Sequence, residues 1–307
     1  MTIAAETTLD LAAAMSGWDR DDLEVQPVTG VQSLNNENWH VTSRSGEFAA
    51  VLRVPNTAND EWLGIDRAEE EAVARAAGVI GLGPEVIAAD ASGALLSRFI
   101  GGEPFDLETG HHVLDRLGRA IRALHTLDAA VASSRDIFGR ISDLLQAAVE
   151  LGGVQGDTAP YHAWLAEARE HRNAAGASPV IGHHDLWANN TLDDGDTLRL
   201  VDWEFSGLSD PVYDLAAVRI AIDTTRVDDA TLLEVAGLDH LAEPSDLIRM
   251  TCAVHLFELA WAGIRSRLPA ARDQGVAVAF DFVAHARAMR EVVDGMLAQR
   301  QFTWSAP

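Results

Sequence analysis

Residues 181–204, IGHHDLWANNTLDDGDTLRLVDWE, constrain this chain more than any other stretch. An apolar lead-in gives way to His183-x-Asp185, and Asn190 follows at a fixed spacing. The turn formers Asp193, Asp194, Gly195 and Asp196 then fold the chain back onto a short apolar run that ends in Asp202-Trp203-Glu204. A hairpin of this kind gathers Asp185, Asn190 and Asp202 at one end. Phosphoryl transfer from ATP needs a carboxylate to take the hydroxyl proton and two oxygen ligands for magnesium close by. These three residues supply that set. Either half alone is weak, but a solvated acidic loop has no reason to keep this order and spacing.

The segment resembles the catalytic loop and metal-binding strand of the aminoglycoside phosphotransferase and choline kinase superfamily, small-molecule relatives of the protein kinases. Protein kinases carry Asp-Phe-Gly where this chain has Asp202-Trp203-Glu204. The continuation through Gly207, Asp210-Pro211 and Asp214-Leu215-Ala216 is similar to choline and ethanolamine kinases and their bacterial cousins. The resemblance implies a two-lobed, kinase-like α+β fold that uses ATP and Mg2+. A small antiparallel β-sheet lobe with one helix, over 1–100, would bind the nucleotide. A larger, mainly helical lobe over 101–307 would carry catalysis and substrate binding.

Composition agrees with such a chain. At 307 residues it can bury more than one core, and 48% hydrophobic with 23% charged content is globular. No apolar run approaches the roughly 20 residues that span a bilayer, and the start lacks a basic, apolar leader, so a cytoplasmic protein is expected. The one cysteine, Cys252, lies in an apolar helical pattern and is expected as a buried, inert thiol. All 23 basic residues are Arg, and against 47 acidic ones they leave a net charge of −24. Such acidity disfavours nucleic acid and anionic membranes as partners. It suits either solubility or attraction of a cationic small molecule.

Patterning predicts a helix over 7–16, strands over 23–28, 38–42 and 48–54, a helix over 64–78, and strands over 85–89 and 94–100. Residues 101–104 are the expected exit to the helical lobe. After the first strand, Gly30, Ser33 and Asn36 stand where choline kinases have a Gly-rich turn over the phosphates. Arg53, late in an apolar strand, is expected at an ion pair or anion site, because an unpaired buried charge is too costly. The resemblance makes it the phosphate anchor and selects Glu70, in Arg67-Ala-Glu-Glu, as its partner. The adenine is expected against Ser97, Phe99 and Ile100.

Asp185 is the expected catalytic base, with Asn190 and Asp202 as magnesium ligands. His183 is expected to be structural, and His184 has no assigned role. The tandem histidines lack further ligands at helical or hairpin spacing, which speaks against zinc. Strand alternation puts Asp202 and Glu204 on one face, towards the cleft, and Trp203 in the core. Asp210 is expected to set a turn and Asp214 to cap a helix. On a late helix, Val254, Phe257, Glu258, Trp261 and Arg265 recur on one stripe. A carboxylate beside a Trp suits an ammonium group, and an aromatic core face with Glu258 paired to Arg265 is the competing reading. The choline kinase helix has His-x-x-Trp-x-x-Trp; His255 and Trp261 match it, and Glu258 stands at the first Trp. Glu204, Glu258 and Trp261 are therefore the expected substrate residues. Choline, ethanolamine or a related amino alcohol is the favoured substrate. An aminoglycoside, thiamine or sugar kinase is the alternative within enzymes, and a non-catalytic nucleotide-binding protein the alternative outside them.

Overall fold

The structure, a computed structural model, describes residues 5–28, 36–105, 111–132, 136–222, 227–268 and 280–304. Helix α1 (Ala5–Ser16) precedes a five-stranded antiparallel sheet of β1 (Leu23–Pro27), β2 (Asn36–Ser43), β3 (Ala49–Pro55), β4 (Val86–Ala89) and β5 (Leu95–Arg98). The spatial order is β1-β2-β3-β5-β4. Successive side chains of a strand point to opposite faces. Trp39, Val41, Ala50, Leu52 and Leu96 accordingly form one core with Ala12 of α1. The register sets Asn38 and Leu95 opposite Arg53, and His40 and Ser97 opposite Val51, so these residues share the other face. That face turns Arg53 towards Glu70.

Helix α2 (Asp60–Leu63) ends at Gly64 in the left-handed region, φ 61°. Helix α3 (Arg67–Val79) begins three residues later than the apolar pattern suggests. The Asp66 side chain accepts from the backbone N–H groups of Ala68 and Glu69 and so fixes the start. Glu70, Val73, Ala74 and Ala77 are its buried stripe.

Beyond the short β6 (Glu103–Pro104) the chain is mainly helical: α4 (His111–Leu124), α5 (Ile137–Glu150), α6 (Ala159–Ala174), α7 (Tyr213–Ala221), α8 (Asp229–Ala236), α9 (Pro244–Arg265) and α10 (Phe282–Leu297). Two small sheets interrupt it. Strand β8 (Thr191–Asp193) pairs with β6 and β9 (Leu198–Leu200), and β7 (Val180–Gly182) pairs with β10 (Gly207–Ser209). Helix α9 is the axis on which α5, α7, α8 and α10 pack. Contrary to the sequence reading, it is long and apolar enough to cross a bilayer, with a mean hydropathy of 1.3, but 72% of that window is buried inside the fold. It serves as a core helix. A Cβ on Gly153 would lie 1.9 Å from the Gly263 carbonyl oxygen, so this contact with α9 requires glycine. Cys252 is fully buried, and burial pushes its thiol pKa up.

Candidate active site

The catalytic segment is built by backbone constraints. His183 N–H and His184 N–H donate to the two oxygens of Asp214 at 2.8 and 2.9 Å. His184 takes a left-handed φ of 64°, a conformation a non-glycine residue adopts only when its surroundings demand it. The expected N-cap role of Asp214 is overturned: it lies inside the first turn of α7, fully buried, and ties down the catalytic loop instead. Burial raises its pKa to about 6 against the pull of the two N–H donors. His183 Nε2–H donates to the Val201 carbonyl at 3.0 Å, and His184 Nδ1–H to that of Phe205 at 2.8 Å. Burial lowers the His183 pKa to about 4 and that of His184 well below the usual value, so both rings are neutral struts.

Asp185 follows directly. Asn190 Nδ2 donates to its carboxylate at 2.6 Å and to its carbonyl at 3.0 Å. Burial, with the Glu204 charge added, pushes the Asp185 carboxyl up to about 7, and the Asn190 hydrogen bond opposes this. The Glu258 charge acts on Asp185 in the same direction, which puts α9 within electrostatic reach of this carboxyl. Trp203 is buried and packs its ring 4.7 Å from that of His183.

The strand ends at Leu200, and Asp202 has a left-handed φ of 65°. Strand alternation therefore does not govern Asp202 and Glu204. Both nevertheless meet Asn36, whose Nδ2 lies 2.9 Å from Glu204 Oε2 and 3.5 Å from Asp202 Oδ1. Burial and the Glu204 charge hold the Asp202 pKa well above the carboxylate range. A divalent cation relieves such crowding. With its nitrogen committed to Asp185, Asn190 has its side-chain oxygen left as a ligand, and its carbonyl accepts from Val201 N–H at 3.0 Å, next to Asp202. Among the described residues no three His, Cys, Asp or Glu side chains are arranged to hold a metal. An Asn–Asp pair completed by phosphate and water is what magnesium accepts.

Arg53 Nη1 lies 2.6 Å from Glu70 Oε1, and both side chains are buried. The pair is braced further by Arg53 Nη2, which donates to the Gly93 carbonyl at 3.2 Å. Burial raises the Glu70 pKa, and Arg53 and Arg67 oppose it. Ser97 lies on the Arg53 face of the sheet. Phe99 is exposed, its ring 4.8 Å from that of His40, and Ile100 is half-buried beside it. Gly30 and Ser33 lie outside the described residues.

On α9, Glu258 Oε2 stands 3.4 Å from His285 Nε2 of α10. The Trp261 ring meets Phe280 and Phe282 with centroids 5.8 and 5.3 Å apart, and Arg265 sits over Phe282. Glu204 is buried against Asn36 and Arg67, and its charge also reaches Arg265 on the α9 stripe. Sequence reasoning missed Asp60, Arg140 and Tyr213. Arg140 donates to the carbonyls of Phe205 and Gly64 at 2.6 and 3.0 Å, clamping the loop after Glu204. The buried Tyr213 hydroxyl, in the field of Asp185 and Glu258, has no hydrogen-bond partner among the described residues. Arg67 entered only as the marker that selects Glu70. None of these lies in a contiguous motif that names its contacts.

A sheet region over a helical region, with a half-buried carboxylate, an Asn–Asp pair and an Arg–Glu pair between them, defines a kinase-like phosphotransferase. The chain belongs to the phosphotransferase enzyme family (APH), whose profile matches residues 27–244. It is 27% identical over 205 residues to protein LicA of Haemophilus influenzae, covering 62% of this chain and 57% of that protein. The match thus spans little more than half of that relative. Its fold is similar to the choline/ethanolamine kinase family protein from Mesorhizobium loti, with a TM-score of 0.65, 24% identity, and 91% and 90% of the two chains covered. It is also similar to spectinomycin phosphotransferase in complex with ADP and spectinomycin, with a TM-score of 0.61, 11% identity, and 96% and 98% covered.

Proposed function

We propose that this chain transfers the γ-phosphoryl group of ATP to the hydroxyl of a small cationic alcohol, with choline or ethanolamine favoured. The observation that supports the reading is the half-buried Asp185 carboxylate, held by Asn190 at 2.6 Å on the loop that leads to Asp202, with Glu258 and Trp261 on one stripe of α9. Asp185 accepts the hydroxyl proton as the oxygen attacks phosphorus. Asn190 and Asp202 hold Mg2+, which when bound neutralises charge on the phosphates. Arg53, paired with Glu70, anchors the phosphates, and Gly30, Ser33 and Asn36 are assigned to covering them. The adenine lies against Ser97, Phe99 and Ile100, within a nucleotide-binding lobe over 1–100. Residues 101–307 carry catalysis.

Glu258 and Trp261 hold the ammonium by charge and cation–π attraction, the latter about 0.5–2 kcal/mol per ring. A carboxylate favours an ammonium that donates hydrogen bonds over a trimethylated one. Glu204, engaged by Asn36 and Arg67, contributes through the field rather than by contact. A single buried thiol and the demand for ATP fit a cytoplasmic setting. The test is a turnover screen of the purified protein with MgATP against choline, ethanolamine and a kanamycin-like aminoglycoside. Phosphorylation of either amino alcohol supports the reading. Phosphorylation of the aminoglycoside alone replaces it with an antibiotic kinase, and nucleotide binding without turnover of any alcohol replaces it with a non-catalytic binder.

A further inference from the structure

We propose that Arg67 is a positioning residue that couples the phosphate anchor to the metal loop, so that helix α3 sets where Asp202 stands. The guanidinium is engaged on all its edges. Nε and Nη2 grip the two oxygens of Asp60 at 2.8 and 2.7 Å. Nη1 is shared between Glu70 Oε2 at 2.9 Å and Glu204 Oε2 at 3.3 Å. Glu70 in turn meets Arg53 at 2.6 Å, and Glu204 meets Asn36 at 2.9 Å, whose same nitrogen lies 3.5 Å from Asp202. One unbroken chain of charged and amide groups therefore runs from β3, through α3, to the metal loop.

The pieces that would make this a fixed device are present. The Asp60 fork sets the plane of the guanidinium, which aims its remaining edge between Glu70 and Glu204, a geometry that a single ammonium does not reproduce. The Arg67 stem is held by the turn between β4 and β5. Gly93 there has a φ of +84°, and a Cβ on it would lie 2.9 Å from Arg67 Cβ. The Gly93 carbonyl also accepts from Arg53 Nη2 at 3.2 Å, so one turn packs on both arginines. Burial opposes the Arg67 charge, and Asp60, Glu70 and Glu204 more than offset it. Without Arg67, Glu204 would stand beside Asp202 without the cation that lies 3.3 Å from it, and like charges that close displace one another.

The proposal rests on the reading of Asp202 as a metal ligand, and the test separates the two. Binding of ADP is measured by calorimetry with Mg2+ and with a chelator, together with the melting temperature. Wild type should bind more tightly with Mg2+. Arg67→Ala should lose about tenfold or more of that gain, the scale on which groups behind a metal ligand act. Adding Glu204→Gln to Arg67→Ala should recover most of it, because the uncompensated carboxylate is gone. A lower melting temperature with the Mg2+-dependent gain intact, or no recovery in the double variant, overturns the coupling. If Arg67→Ala does not fold, Arg67→Lys is used: it should lose part of the gain, and a full wild-type gain overturns the proposal. No Mg2+-dependent gain in wild type itself overturns the metal reading, and this one with it.

Discussion

The hairpin segment around Asp185 and the α9–α10 face both carry carboxylates, but they hold them differently. In the hairpin, position is set through the main chain. Asp214 grips two consecutive N–H groups, two neutral histidines brace carbonyls, and His184 and Asp202 sit in left-handed backbone that only such bracing sustains. On the α9–α10 face, side chains rest on side chains: Glu258 against His285, and Trp261 against Phe280 and Phe282. A site fixed by backbone tolerates little change and suits the chemistry common to all substrates. Side chains lying on a helix can be exchanged without moving the fold, and that is where selectivity for one alcohol belongs.

The sharpest way to break this contrast is Asp185→Asn. Turnover should fall by roughly 10²- to 10⁴-fold with MgADP binding retained, as for loss of a positioned base. Steady-state rates on whichever alcohol the screen identifies check this, and near-normal turnover would remove Asp185 from its role. Next comes Asp214→Ala, which touches no substrate in this account. It leaves two buried N–H donors without their acceptor and should cost about 3 kcal/mol in denaturant unfolding. A loss near zero would mean that the loop is not held through its main chain.

The two regions also differ in how far the sequence announces them. Asp185, Asn190 and Asp202 are legible because one hairpin carries them, and hairpin geometry is local. The Arg53–Glu70 contact needs only a strand, a turn and the next helix. The alternation argument for Glu204 does not hold, because the strand stops at Leu200 and Asp202 is left-handed. Asp214 looked like a cap for its own helix, since only the folded chain brings it under His183. The bridge from Arg67 to Glu204 joins residues 137 apart in sequence, and no periodicity encodes that contact. On α9 the stripe was legible, whereas the Glu258 partner required the docking of α10.

A pH experiment sharpens the hairpin side. His183 is kept neutral by burial, its pKa lowered from 6.5 to about 4. Below 6.5 the unfolded chain takes up a proton that the folded chain refuses until about 4. This contribution is therefore intact above 6.5 and is lost as the pH falls through that window. His183→Asn, which can still donate to Val201 but does not titrate, should lack the loss. Between pH 8 and pH 5 the stability gap between wild type and variant should shift by about 2 kcal/mol in favour of the variant. A gap that is constant across the window would mean that the imidazole is not held neutral.

The smallest effect belongs to the α9–α10 face, and it decides whether that face is a selectivity surface at all. Trp261 is half-buried, its indole packed edge-on against Phe280 and Phe282, so truncation leaves the neighbouring rings and Glu258 in place. Trp261→Ala should fold, bind MgADP as wild type does and keep kcat within a few-fold. The apparent KM for the cationic alcohol should rise by about 2- to 30-fold, the equivalent of one cation–π contact of about 0.5–2 kcal/mol. A neutral alcohol of similar size should show no such rise, because it draws nothing from the ring's electrostatics. If kcat falls with KM unchanged, the ring acts on the chemistry and the division of labour between the two regions fails. If both cationic and neutral alcohols lose equally, Trp261 supplies shape rather than charge recognition, and Glu258 alone must account for any preference for a cation.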